Sequence, residues 1–426
     1  ARSAVFAPLP QPGLIVVDEE HEASYKQSEG FRYHARDLAL LRGQQQSLPV
    51  LLGSATPSLQ SWQRAVDGKT TLLRLGRRTG GRPLPQVELV DMTQTPYRTL
   101  LSEPLLGALQ ATLERGEQSL VLLNRRGFAA FLQCGDCGRG FTCPNCDISL
   151  TWHRQQRRLR CHYCDYHQIP PESCPACGGT DLEPMGAGTE RLQMELEKVF
   201  PDARIARMDR DTTGGKGAHR QLVEGMMAGR FDILVGTQMV AKGHDFPAVT
   251  LVGVVNADAP LNFPDFRAAE RTFALLAQVA GRAGRGERPG RVLLQTYSCD
   301  HYLFGAVKTH DFEGFCRQEL AFRRELGYPP FGYLVNLVLA GNDAQRVDRA
   351  AEELVAHLGP MPAGVELLGP APCLLARLRG KHRRQILLKS SSRAPLHRLL
   401  SRLQTRKKPV PSGVSLTLDV DPVDMF

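Results

Sequence analysis

Apolar residues along the chain follow two periods. Short, nearly unbroken runs at Leu14–Val17, Pro49–Gly53, Ser119–Leu123, Ile205–Asp209, Asp232–Gly236, Thr250–Val255 and Arg291–Tyr297 read as buried strands. Between them, Tyr33–Arg42, Pro104–Arg115, Glu190–Phe200, His219–Ala228 and Ala268–Ala280 place apolar residues three and four apart, as helices with one apolar stripe do. Strands alternating with helices predict a parallel sheet covered on both faces. A further strand is expected at Thr71–Leu75, and the Gly-, Arg- and Pro-rich stretch Gly76–Pro85 reads as a linker between lobes. Towards the C-terminus the order changes. Tyr333–Ala340, Val365–Leu368, the Ile386–Lys389 region and Val414–Val420 read as strands, with helices at Asp343–Leu358 and Pro395–Leu403. That βαββαβ order predicts a small ferredoxin-like α+β unit.

Composition narrows the class. With 426 residues, 42% hydrophobic and 23% charged, the chain is neither disordered nor fibrous. Its length suggests two to four domains at about 100–200 residues each. No apolar run approaches the roughly 18 residues of a membrane span, and the first residues lack a secretory pattern. Ala1 stands where an initiator Met would, so a processed chain or a fragment is expected. The net charge of +9 is concentrated: residues 377–408 carry 12 Lys or Arg and no acid, leaving −3 for the remainder. Clustered cations attract phosphates by releasing counterions, and Lys381, Arg383 and Arg384 in the first part of this strip are the candidate DNA contacts. A solvated helix face would account for part of it, since Arg398 and Arg402 are one helical turn apart.

Cysteine use is as uneven as the charge. Eight of the eleven cysteines form four CxxC pairs: Cys134/Cys137, Cys143/Cys146, Cys161/Cys164 and Cys174/Cys177. A thiolate pair at this spacing grips one tetrahedral Zn²⁺ and two pairs complete a site, so two structural ions are expected. Disulfides or redox pairs are the alternatives, weakened by the lack of an export signal. Five residues separate the first two pairs and 14 separate the second from the third. That spacing favours nesting, with Cys143, Cys146, Cys161 and Cys164 on one ion and Cys134, Cys137, Cys174 and Cys177 on the other. His153, His162 and His167 are then spare, and Cys299, Cys316 and Cys373 read as buried apolar residues.

Four further segments carry candidate chemistry. Asp18-Glu19-Glu20-His21 closes a strand where a parallel sheet presents its ligand crevice. One carboxylate there can hold Mg²⁺ and its neighbour can orient water, although an exposed acidic turn would look the same. Ser54 and Thr56 follow the next strand and could link that site to a second lobe. Gly236-Thr237-Gln238 through Lys242-Gly243-His244-Asp245 follows another strand. Gln278 to Arg285 (QVAGRAGR) ends a helix in a turn whose arginines could reach a phosphate across a cleft.

DEEH at Asp18–His21, YKQSEGFRYHARDLA at Tyr25–Ala39, GSATPS at Gly53–Ser58, LNRRGF at Leu123–Phe128, the cysteine block, VGTQMVAKGHDFP at Val235–Pro247, QVAGRAGR and LDVDPVDMF at Leu418–Phe426 span the chain. In these it resembles the superfamily 2 DNA helicases, and among them the bacterial replication-restart helicases. The resemblance implies RecA-like lobes: the C-terminal part of lobe one at 1–80, and lobe two at 81–132 and 179–300. It also implies a cysteine-rich insertion at 133–178 and a DNA-binding C-terminal domain at 308–426. It implies an ATP-driven 3′→5′ helicase that recognises stalled or repaired forks and starts primosome assembly, with Mg²⁺ as the nucleotide's ion. Asp18 then resembles the Mg²⁺ ligand, Glu19 the catalytic base, and Gln278, Arg282 and Arg285 the γ-phosphate motif. Ser54, Thr56, Gly236, Thr237, Gly243 and Asp245 resemble coupling residues. Tyr25, Phe31, Tyr33 and His34 match an aromatic-rich loop that senses single-stranded DNA, unless those rings simply pack over a core. Forked DNA, single-stranded DNA-binding protein and other primosome proteins are implied partners. The implied location is the bacterial cytoplasm, at the nucleoid and not in a membrane.

The sequence departs from that pattern at one point: it holds no GxxxxGK[ST] phosphate loop. Gly68-Lys69-Thr70 has Gln63 where the first Gly belongs, and Gly214–Gly217 is followed by Ala218. The chain is therefore expected to be a C-terminal portion that binds zinc and DNA without hydrolysing ATP. A non-catalytic, zinc-containing module that binds DNA or a partner is the competing reading.

Overall fold

The computed structural model describes residues 2–76, 81–95, 99–124, 131–134, 137, 140–145, 150–153, 157–161, 164, 166–185, 188–209, 212–215, 217–240, 245–404 and 409–425. Among the candidates, Cys146, Gly243, His162, Arg125–Phe128 and Arg406–Lys408 lie outside them. The fold is α/β in its centre, with an inserted cysteine-rich module and a C-terminal α+β unit. No helix among the described residues is long and apolar enough to cross a membrane.

Six parallel strands form the central sheet. Their order is Ile205–Met208, Ile233–Gly236, Gln118–Leu123, Val249–Val255, Arg291–Thr296 and Gln86–Asp91. Every residue of Gln118–Leu123 and Val249–Val255 is buried, as expected for central strands covered on both faces. One apolar core contains Leu120, Val252 and Phe273, and the other contains Leu105, Val121 and Leu251. Gln86–Asp91 was not anticipated. It pairs over six residues with Arg291–Thr296 at the sheet edge, where Val87 is buried, its three successors are half-buried and both end residues are exposed. Ahead of this sheet, Ile15–Val17 and Val50–Leu52 form a two-stranded parallel pair flanked by the helix Ala35–Gln46.

The expected strand Thr71–Leu75 is irregular. Leu73 is 74% exposed and Leu75 98%, and no described strand lies beside them to accept a ladder. Three unpredicted helices explain how the first segment meets the central sheet. Leu59–Val66 places Leu59 in the core of that sheet, where Tyr302–Lys308 and Phe312–Glu325 contribute Leu303, Phe304 and Phe315.

The four-stranded antiparallel sheet runs Val365–Leu378, Lys381–Ser390, Tyr333–Gly341, Val414–Val420. Each β-α-β unit has a strand of the other between its own two strands, which is the ferredoxin-like arrangement. The hairpin 365–390 is longer than the two short runs predicted: the register of its first strand shifts between Leu368 and Ala371 and again between Pro372 and Arg377, and its second strand opens with the polar run Lys381–Gln385. The cysteine-rich module is a five-stranded antiparallel sheet in which Phe131–Cys134 pairs with Leu182–Met185. The chain enters and leaves it through neighbouring strands, so the insertion costs the host sheet little.

A charge junction holds three helices together. The Glu270 carboxylate accepts from Leu59 N at 2.8 Å and from Arg323 Nη2 at 2.9 Å. Arg323, 3% exposed, also donates through Nε to Glu319 at 2.9 Å. Burial alone would raise the Glu270 carboxyl, but the charges of Arg323 and Arg267 outweigh it and hold it below the usual range. A carboxylate so depressed stabilises the fold above its unfolded titration range, and that contribution is lost as pH falls through its folded value. Glu270→Ala, which leaves the buried Arg323 with Glu319 as its one carboxylate among the described residues and the Leu59 N–H without its acceptor, should cost up to about 3–5 kcal/mol. The thermal midpoint of the variant should also depend less on pH below 5 than that of the parent. Equal midpoints at pH 7 would contradict this role.

Candidate functional site

The DEEH turn is pinned from both sides. Gly53 N donates to Val17 O at 2.9 Å and Glu20 N to Gly53 O at 3.0 Å, tying the turn to the neighbouring strand. The buried Glu20 carboxylate faces inward, accepting from Ser58 N at 2.6 Å, Ser61 Oγ at 2.9 Å and Arg36 Nη1 at 3.1 Å. Sequence reading overlooked Glu20, since its partners lie 16–41 residues away. With Glu20 committed, Glu19 takes a left-handed φ of 47° and leaves its carboxylate 47% exposed in the cleft. The Asp18 backbone carbonyl accepts from Tyr25 Oη at 2.6 Å.

Across the cleft, Gln278 closes a polar relay. Its Nε2 lies 3.0 Å from His21 Nε2 and 3.5 Å from Glu19 Oε2. His21 Nδ1 lies 2.7 Å from Ser54 Oγ and 3.5 Å from Glu19 Oε2. With the glutamine amide donating to Nε2, the imidazole proton sits on Nδ1, facing the serine and the carboxylate. Three expected residues thus converge on a fourth, His21, to which no role had been given. Thr56 stands one step behind: its N–H donates to Ser54 Oγ at 3.0 Å, and its buried hydroxyl has no partner among the described residues.

The arginine turn completes this wall. Arg285 Nη1 lies 3.5 Å from Asp245 Oδ1, and its Nε donates to Gly281 O at 2.9 Å. Burial lowers the Arg282 pKa and the Arg285 charge adds to that, while Asp245 and Glu19 oppose it. Gly284, at φ 65°, runs so close to Gly290 that a Cβ would lie 2.4 Å from its nitrogen, so the turn requires glycine there. Gly236 is equally constrained, because a Cβ would meet Met208 O at 2.6 Å. Thr237 follows it, its carbonyl accepting from Val240 N at 3.1 Å.

The aromatic loop divides. Phe31 is 75% exposed and stacks on Tyr33 with centroids 5.9 Å apart, and Tyr33 rests edge-on against Phe6 at 4.9 Å. His34 instead turns inward, where burial and then the Arg36 charge push its pKa down to about 4. The loop is strapped to the far end of the chain. Lys26 Nζ lies 2.8 Å from Asp419 Oδ1 and donates to Val420 O at 2.7 Å, while Arg32 reaches Asp419 Oδ2 at 3.2 Å. Arg267 Nη1 donates to Pro422 O at 2.6 Å, and Arg271 pairs with Asp424 at 2.9 Å.

The described cysteines gather in the nested grouping. Cys134, Cys137, Cys174 and Cys177 form one cluster, and Cys143, Cys161 and Cys164 the other, each with all sulfurs within 4.8 Å of one another. The Sγ separations of 3.6 Å for Cys134/Cys177, 3.7 Å for Cys137/Cys174 and 3.5 Å for Cys143/Cys164 far exceed a disulfide bond of about 2.05 Å. They approach the edge of about 3.8 Å that a ZnS₄ tetrahedron with bonds of about 2.3 Å requires. Backbone donors assist: Asn145 N and Ala176 N each lie 3.4 Å from a sulfur, Cys143 and Cys174 respectively. The Ala176 contact draws the Cys174 thiol down to about 7, whereas burial pushes that of Cys143 up to about 12. Thiols crowded this closely need a cation if all are to ionise together. Of the other cysteines, Cys316 and Cys373 are buried, but Cys299 is only half-buried.

On the cationic strand, Lys381 is exposed and Arg383 half-buried. Arg384 is already committed, with Nε 2.6 Å from Asp348 Oδ1. The strip therefore offers fewer open cations than its composition suggests.

Three family models match the chain: the PriA DNA helicase Cys-rich region at residues 143–168, the helicase conserved C-terminal domain at 188–287 and the primosomal protein N C-terminal domain at 324–423. Replication restart protein PriA of Bacillus subtilis is 45% identical, with alignment over 100% of this chain and 54% of that protein. The proteins of that name from Synechocystis and Haemophilus influenzae are 43% and 40% identical, again over 100% of this chain and over 52% and 58% of their own lengths. The chain thus spans about half the length of these curated relatives. With the cysteine-rich, helicase and C-terminal models in chain order and these relatives aligned over the whole of this chain, the chain belongs to the replication restart protein PriA family.

Proposed function

We propose that this chain is the cleft-forming, zinc- and DNA-binding portion of an ATP-dependent 3′→5′ DNA helicase that acts at stalled or repaired forks in the bacterial cytoplasm. There it would initiate primosome assembly with single-stranded DNA-binding protein and other primosome proteins. The observation that carries this is the convergence of Glu19, His21, Ser54 and Gln278 from two lobes on one cleft. In this reading Asp18 holds the nucleotide's Mg²⁺, and Glu19 orients water and takes its proton. Gln278, Arg282 and Arg285 face the γ-phosphate. Ser54 and Thr56, with Gly236, Thr237, Gly243 and Asp245, transmit closure of the cleft to DNA. The His21–Gln278 contact makes that transmission direct, because a shift of either lobe changes the hydrogen bonding of the other.

Tyr25, Phe31 and Tyr33 supply a stacking edge for single-stranded DNA, with His34 fixing the loop from inside. Lys381 and Arg383 contact phosphate, and Arg384 contributes less because Asp348 already neutralises it. Two Zn²⁺ are held by the nested thiols, Cys146 completing the inner set, and their role is structural.

The deciding experiment is DNA-stimulated phosphate release. The 426-residue chain should release none, whereas a longer chain carrying a phosphate loop should, and Glu19→Gln in that longer chain should slow it about 10²–10⁴-fold. Release by the 426-residue chain would overturn the reading of its sequence. Metal analysis should find two zinc per chain, falling to one in Cys161→Ser. One zinc in the parent chain would refute the nested assignment. In single-strand binding, Phe31→Ala should lose about 1–3 kcal/mol. Lys381→Ala and Arg383→Ala should each flatten the salt dependence by about 0.9 on duplex, and Arg384→Ala by clearly less. An unchanged slope in all three would remove the strip from the interface.

A further inference from the structure

The tip of the long C-terminal hairpin is built into the cysteine-rich module. Arg379 and Gly380, both at positive φ (51° and 78°), make the two-residue turn between Leu378 and Lys381. The turn lies beyond Gly341, which pairs with His382 at the end of the neighbouring strand. Gly380 N donates to the carbonyl of Asn145 at 2.7 Å. Asn145 lies in sequence between Cys143 and Cys146, and its own N–H points at Cys143 Sγ from 3.4 Å. Leu378 packs into the module's apolar core, beside Leu132, Phe141, Leu150 and Leu159 and the thiols of Cys143 and Cys161. Two attachments, one polar at the turn that follows Cys143 and one apolar in the core that contains Cys143 and Cys161, therefore join the hairpin to the module.

We propose that the Cys143/Cys146 knuckle is a positioning site for the hairpin: Asn145 and Leu378 form a joint through which metal binding in the module sets the orientation of the cationic strand Lys381–Arg384. This inference rests on the reading that the inner thiols take zinc. The physical chain is short. Sulfurs held by a metal fix the knuckle backbone, because N–H···S bonds orient the peptide groups around the ligands. The fixed backbone presents the Asn145 carbonyl to Gly380. The same sulfurs close the core that receives Leu378. Without the metal the crowded thiols repack, the carbonyl loses its fixed direction, and the hairpin keeps only its own turn and strand pairing. Lys381 is the residue after that turn, so its position relative to the rest of the chain follows the joint directly.

Hydrogen exchange on the intact 426-residue chain tests this, with zinc content measured on the same samples. Chelation should speed exchange of the peptide covering 376–384 at least tenfold and leave the strand Tyr333–Gly341 unchanged. Leu378→Glu should speed the same peptide in chain that still holds two zinc, and Leu378→Met should restore protection. Leu378→Glu should also flatten the salt dependence of DNA binding by about one to two, the share of Lys381 and Arg383. Protection of 376–384 that survives loss of zinc overturns the inference while leaving the zinc reading intact. A chain that never holds zinc overturns both. Equal exchange in Leu378→Glu and the parent excludes the joint whatever the metal content.

Discussion

The carboxylate of Glu270 is the constraint on which the arrangement of this chain depends. It stands where the first segment, the central sheet and the helix Phe312–Glu325 meet, and it serves all three by accepting the Leu59 N–H and the Arg323 guanidinium. Apolar packing of Leu59, Phe273 and Phe315 supplies the contact area, but such packing tolerates sliding. A carboxylate that must meet both a helix N-terminus and a guanidinium admits one register. An ion pair of this kind adds little net stability over an apolar substitute, so its contribution here is to fix geometry. The helix Ala268–Ala280 that carries Glu270 carries Gln278 eight residues later, about 12 Å along its axis. The distance from the junction to His21 is thus set by one rigid element. The polar relay in the cleft is only as well placed as that junction.

The parts of the molecule legible in the sequence are those governed by local periodicity. Gln118–Leu123 and Val249–Val255 are buried throughout, so their runs are apolar and unambiguous. The ferredoxin-like order was legible for the same reason. Thr71–Leu75 shows the limit of that signal: three leucines in five residues read as a strand, yet pairing needs a neighbour and none of the described strands is adjacent. Gln86–Asp91 shows the converse. Its apolar content is modest because it is an edge strand, and only its six-residue ladder to Arg291–Thr296 makes it part of the sheet.

Within the cleft, residue type was legible and connectivity was not. Glu19, Ser54 and Gln278 stand out as short motifs, but they are joined through His21 across separations of 33 and 257 residues. No local pattern marks Glu20 as structural and Glu19 as facing the cleft, because the two differ only in which side of a tight turn they face. The cysteines were the opposite case. Their spacing alone favoured the nested grouping seen in the described sulfurs, since a CxxC knuckle carries its geometry within four residues. What spacing could not convey was that the module's core would also accept Leu378 from more than 200 residues downstream.

The C-terminal segment draws these separate regions into one mechanical unit. Asp419 lies between Lys26 and Arg32 of the aromatic loop, and the carbonyls of Pro422 and Val423 take hydrogen bonds from Arg267 and Arg271. Burial raises the Asp421 carboxyl, with Arg393 opposing, so that acid is held less favourably than an exposed one and sits there because its neighbours in the chain are fixed. A loop that presents Phe31 to solvent would ordinarily be mobile. Here it is anchored to the strand Val414–Val420 of the four-stranded sheet, and the residues that follow that strand are in turn held by Arg267 and by Arg271 of the helix Ala268–Ala280. Under the proposed function, a strand of DNA that displaces Phe31 therefore pulls on the same helix that carries Glu270 and Gln278. The exposed ring, the interlobe junction and the polar relay are then linked by covalent structure and a few short ion pairs. In that reading, coupling between DNA and the cleft runs along this path of contacts.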